Sequence, residues 1–107
     1  MSKPSDLTVD EFTAEVLEAV LPVLVDFWSP TCPHCQHLNP HFEAAGIGCG
    51  EQVKFAKVSA ADCRPLFAQY RVSAVPTLVL FRDGAEVTRR QGSATSDEII
   101  AWLTQHV

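Results

Sequence analysis

The run Val23-Leu24-Val25-Asp26-Phe27-Trp28, followed by Ser29-Pro30-Thr31 and Cys32-Pro33-His34-Cys35, decides how this chain is read. Six residues that are apolar except for one acid, several of them β-branched or aromatic, have the pattern of a strand covered on both faces. Such a strand belongs at the centre of a sheet, with a parallel neighbour. Ser29-Pro30-Thr31 then turns the chain. Pro33 suits the first position of a helix, where a missing N–H costs nothing. Strand, turn and helix start are thus placed in succession, with two cysteines three residues apart on the opening helical turn.

Working outward, Thr8 and Glu11 form a capping-box pattern, with Leu7 and Phe12 spaced for a hydrophobic staple. Phe12, Val16, Leu17 and Val20 recur at helical spacing, so the first helix is expected from Val9 to Leu21, where Pro22 stops it. The helix after Cys32 is expected from Pro33 to Ala45, kinked at Pro40 and ended by Gly46, Gly48 and Gly50. Strands are read at Val53 to Val58, Thr77 to Phe81 and Ala85 to Gln91. Asp83-Gly84 makes a hairpin between the last two. A short helix is read from Pro65 to Tyr70. Thr95 and Glu98 repeat the capping box before a final amphipathic helix carrying Ile99, Ile100, Leu103 and Val107. An N-terminal strand is only faintly indicated. The order gives an α/β architecture, a central mixed sheet flanked by helices, in one domain over residues 1–107.

With 107 residues, 47% hydrophobic, the chain can bury a core without covalent staples. Its four cysteines do not have the dense spacing of a disulfide scaffold. The net charge is −5; eight acids and one base lie in residues 1–51, and five acids and seven bases in 52–107. No basic run is present, which excludes a nucleic-acid phosphate surface and disfavours an anionic membrane. No apolar segment is long enough to span a bilayer, and the polar start Met1-Ser2-Lys3-Pro4 lacks the apolar region of a secretory signal. A cytoplasmic protein is expected.

Cys-x-x-Cys at a helix start is a redox arrangement. Cys32 is expected at the N-cap, exposed, where unpaired N–H groups and the positive helix end favour thiolate; it is the nucleophile. Cys35, one turn inside, is the resolving thiol. His34, as imidazolium, would favour a Cys32 thiolate further and make the disulfide more oxidising. A zinc site is the competing reading, but no second Cys-x-x-Cys exists, so no metal is expected. His34, His37 and His41 share one helix face; a metal or proton relay is conceivable there, while a solvated face with only His34 near the chemistry is preferred. Asp26 is costly to bury, so its pKa should be raised. Lone Cys49 and Cys63 read as buried small residues. Cys63, beside Asp62 at a helix start, has a regulatory thiol as its alternative.

Val-Asp-Phe-Trp, the Cys-x-x-Cys helix with Pro40 five residues beyond Cys35, Val75-Pro76-Thr77, Asp83-Gly84 and Gly92 together resemble the thioredoxin family, in order and spacing, from about Leu7 onward. The resemblance implies a cis Val75-Pro76 bond beside the cysteines, with the Val75 backbone free to pair with an extended substrate. It also implies that Asp26 takes the proton of Cys35 through a water, with Lys57 near that acid, and that Thr31, Val75, Pro76 and Gly92 belong to the docking face. Two departures stand out: Thr31 replaces the family's tryptophan, and Pro33-His34 replaces Gly-Pro. Pro-His is shared with periplasmic disulfide oxidases at that dipeptide only, and it implies a potential above that of an ordinary thioredoxin. The activity implied is reduction of protein disulfides, with no cofactor beyond the Cys32/Cys35 pair and electrons from thioredoxin reductase or a similar enzyme. A monomer is expected. The alternatives are an oxidase or isomerase, or a non-catalytic binding module of the same fold.

Overall fold

The computed structural model describes residues 3–107. Its five strands form one sheet in the order β1-β3-β2-β4-β5, where β1 is Ser5–Asp6, β2 Val23–Trp28, β3 Lys54–Ser59, β4 Thr77–Arg82 and β5 Ala85–Gln91. The faint N-terminal strand is thus real but only two residues long. β2 is central, as its uninterrupted apolar pattern requires. It runs parallel to β3, the parallel neighbour expected of it, and antiparallel to β4, which makes the sheet mixed. Asp83 and Gly84 both take positive φ, the twist a two-residue hairpin demands, and carry β4 into antiparallel β5.

Four helical segments cover the sheet: α1 at Val9–Phe12, extended by a π-helical turn at Thr13–Leu17; α2 at Pro33–Cys49; α3 at Arg64–Gln69; and α4 at Ser96–Thr104. Both capping boxes form. The Thr8 side chain accepts from Glu11 N and the Glu11 carboxylate accepts from Thr8 N; Thr95 and Glu98 do the same. Leu7 and Phe12 are both buried in one core cluster, as a staple requires.

Alternation along β2 divides the interior. Val23, Val25 and Phe27 join Phe12, Val16 and Leu66 on one face of the sheet. Leu24 joins Leu38, Phe42, Phe55, Ile99 and Leu103 on the other. Asp26 shares the parity of Leu24 and therefore faces α2.

Helix boundaries differ from those expected of the sequence, by a single residue in α3, which spans Arg64–Gln69, and by more in the other three. The first helix stops at Leu17, not Leu21, because the wider π turn, closed by Glu18 N to Thr13 O at 2.9 Å, shifts the phase of the residues after it. Val20 consequently points to solvent, 97% exposed. α2 passes Ala45 and ends at Cys49, with Gly50 at φ +60 closing it. Gly46 and Gly48 lie inside that helix and serve packing. A Cβ on Gly46 would sit 3.2 Å from Cγ of Phe55, and one on Gly48 would sit 2.8 Å from Cδ1 of Ile100. The final helix ends at Thr104, leaving Val107 outside it and half exposed.

Candidate active site

The end of β2 delivers the chain to the N-terminus of α2, and Cys32 is its N-cap, with extended backbone angles. The sulfur of Cys32 accepts the backbone N–H of Cys35 at 3.1 Å, a contact that Pro33 at the first helical position leaves open. Cys32 is partly accessible, whereas Cys35 is buried. The asymmetry expected from the spacing is therefore present. Burial pushes the Cys35 thiol up to about 12, and the adjoining Cys32 and Asp26 add to the rise.

Val75-Pro76 is a cis peptide. Val75 precedes β4 and stays outside its ladder, with its carbonyl 3.8 Å from the Cys32 sulfur. Gly92 N–H donates to the Pro76 carbonyl at 2.9 Å, joining the start of β4 to the end of β5 beside the cysteines. Gly92 has φ +89, a backbone that disfavours other residues. Thr31 is exposed in the turn before Cys32, its hydroxyl 3.2 Å from that of Ser29. Cys32, Val75, Pro76 and Gly92 are thus brought together, with Thr31 and exposed His34 at the margin.

Beneath the pair lies Asp26, 1% exposed, with Oδ1 lacking any hydrogen-bond partner. Loss of hydration raises its pKa from 3.8 to about 7, against a smaller lowering by Lys57. Lys57 is the register partner of Asp26 on β3, so both side chains project from the same face. The ammonium of Lys57 is not free in solvent. It donates to Asn39 Oδ1 at 2.6 Å and lies 4.5 Å above the Trp28 ring. Asp26, Trp28, Cys35, Gln36, Asn39 and Lys57 line a cleft of about 250 Å³.

Asn39 and Trp28 are partners of Lys57 that the sequence does not announce. The available signal is spacing: Asn39 is four residues beyond Cys35, hence on the same helix face. The histidine face is only partly solvated. His34 and His37 are exposed, but His41 is half-buried and its Nδ1 accepts Ser96 N–H at 3.3 Å, satisfying an unpaired donor of the first turn of α4. No cluster of three metal-ligating side chains occurs among the described residues. All four cysteines are free thiols.

A strand that feeds a partly accessible N-cap cysteine, a buried second cysteine and a buried acid define a thiol-disulfide exchange site. The family model for thioredoxin matches residues 3–105. Thioredoxin C-2 of Corynebacterium nephridii is 35% identical over 101 residues, covering 94% of each chain. Thioredoxin 1 of Synechococcus elongatus is 34% identical over 107 residues and all of both chains. Thioredoxin of Mycolicibacterium smegmatis is 38% identical over 89 residues, covering 81% of this chain and 80% of its own. This chain belongs to the thioredoxin family, and it is a thiol-disulfide oxidoreductase.

Proposed function

We propose that the protein reduces disulfides of protein substrates in the cytoplasm through a Cys32/Cys35 cycle. The observation that carries this reading is the asymmetry of the pair: an accessible Cys32 sulfur at the helix N-cap, and a buried Cys35 next to an acid poised near neutrality. The Cys32 thiolate attacks one sulfur of the substrate disulfide, forming a mixed disulfide and releasing the other sulfur as a thiolate. Cys35 then gives up its proton to Asp26 and attacks the Cys32 sulfur. The mixed disulfide breaks, and the second substrate sulfur leaves. Two electrons have passed to the substrate, and the pair is now a disulfide. No resident cofactor enters; a partner reductase of the thioredoxin reductase kind returns two electrons, which restores the Cys32 thiolate, and the proton held on Asp26 restores the Cys35 thiol.

The docking face supports substrates presented in extended form, since the Val75 backbone lies outside the sheet ladder beside Cys32. Thr31 takes the place of an aromatic side chain on that face and makes it smaller. No helix among the described residues is long and apolar enough to cross a membrane.

The oxidising alternative draws on Pro33-His34, because exposed His34 lies in the first turn of the helix whose N-cap is Cys32. Equilibration with glutathione redox buffers decides between them. A potential near about −270 mV, typical of a reducing thioredoxin, supports the reductase, while one near about −120 mV, typical of a disulfide oxidase, overturns it. In a separate assay of protein-disulfide reduction, Cys32→Ser should abolish turnover, and Cys35→Ser should accumulate substrate as a stable mixed disulfide on Cys32. Trapping on Cys35 in Cys32→Ser instead would reverse the assigned roles.

A further inference from the structure

The ammonium of Lys57 has two acceptors within its range on this side of the sheet. One is the Asp26 carboxylate, on the register partner of Lys57 in the adjacent strand. The other is the side-chain oxygen of Asn39 on α2, and it is Asn39 that holds the hydrogen bond, at 2.6 Å. The ion pairs formed by the described residues, Lys54 with Glu15 and Arg89 with Glu86, do not include Asp26. Oδ1 of Asp26 stays without a partner.

Asn39 is itself fixed. Its Nδ2 donates to Glu43 Oε2 at 3.2 Å, one turn further along α2. A flipped amide would put its NH2 against the ammonium and its oxygen against the carboxylate, both repulsive, so only one orientation satisfies the row Glu43-Asn39-Lys57. The Trp28 ring, 4.5 Å from the ammonium, braces it from β2.

We propose that Asn39 is a positioning residue that, oriented by Glu43, holds the Lys57 ammonium off Asp26 and so keeps the carboxylate able to take a proton at neutral pH. A direct ion pair in this setting would stabilise the ionised carboxylate and weaken it as a base. The charged and titratable groups facing Asp26 are few: Lys57 from β3 and Cys35 from α2, with Cys32 next to Cys35 and Glu43 reached through Asn39. Its register partner on β4, Leu78, is apolar. The proposal rests on Asp26 serving Cys35, yet the titration of Asp26 reads the positioning whether or not that service is rendered.

The test is carboxyl carbon NMR of Asp26 across pH in the reduced protein and in its Asn39→Ala, Lys57→Met and double variants. Asn39→Ala should lower the Asp26 midpoint by about 1 pH unit, as expected when an opposite charge closes on a carboxylate. In the Lys57→Met background Asn39→Ala should change nothing. Asn39→Gln, which retains an amide, should return the midpoint towards that of the parent. A midpoint that is unchanged or raised in Asn39→Ala overturns the proposal. So does the same fall without Lys57, which would mark simple hydration of the site. Should Asn39→Ala not fold, Glu43→Leu, which removes the group orienting the amide, is expected to produce the same fall in milder form, and no fall there overturns the proposal equally.

Discussion

Asp26 is the one buried carboxylate among the described residues, and its cost to the fold depends on pH in a definite direction. In the unfolded chain it titrates near 3.8, in the folded chain near 7. Below the first value it is protonated in both states and costs nothing. Between the two, the unfolded chain ionises while the folded chain stays neutral, so stability falls as pH rises, and the full penalty is present above the second value. The span corresponds to on the order of 4 kcal/mol. Asp26→Asn should therefore match the parent in urea denaturation near pH 4 and exceed it by several kcal/mol at pH 8; a constant difference across that range would contradict the account. The acid and both cysteines are legible in the sequence, because a charge inside an apolar strand and a cysteine pair at a helix start each break a local rule. Asn39 is not legible as a partner, since nothing in the string marks one polar helix residue as the acceptor for a lysine on a strand 18 positions away.

At the scale of elements, the pattern of residues identifies each helix and strand but misplaces where helices stop. Glycine reads as a terminator at Gly46 and Gly48, whereas both are close-approach positions in a helix that continues to Cys49. A first helix drawn to Leu21 overshoots because a π turn leaves no compositional mark. The two glycines make a paired prediction. Replacing either with alanine gains roughly 1 kcal/mol of helix propensity. At Gly48 the obstruction is the terminal methyl of Ile100, a flexible end that can swing away, so Gly48→Ala should be neutral or stabilising. At Gly46 it is the ring of Phe55, held against Phe42 at a centroid distance of 4.9 Å. Crowding there costs about 1–3 kcal/mol, so Gly46→Ala should be neutral to destabilising. Thermal denaturation should place Gly48→Ala above Gly46→Ala, and the opposite order would show that these glycines are not packing residues.

Across the whole molecule, the sheet separates the four thiols into environments that the linear sequence does not distinguish. Cys63 lies with the α1 and α3 face, fully buried, its sulfur donating to the Leu7 carbonyl at 3.3 Å. Cys49 packs against the α2 and α4 face and is partly accessible. With the sheet between them these two cannot bridge without unfolding, which leaves Cys32 and Cys35 as the pair built for a cycle. Burial also raises the pKa of both Cys49 and Cys63, keeping each as the less reactive thiol. A regulatory role for Cys63 finds no support in this placement. Thiol labelling of the reduced native protein should accordingly show Cys32 reacting first, Cys49 slowly, and Cys63 at the rate of unfolding, so that denaturant accelerates Cys63 far more than Cys32. After mild oxidation, peptide mapping should find one disulfide, Cys32 to Cys35, with Cys49 and Cys63 still free. Rapid labelling of Cys63 under native conditions would mean that the α1 and α3 face opens readily, and its burial would no longer explain its inertness.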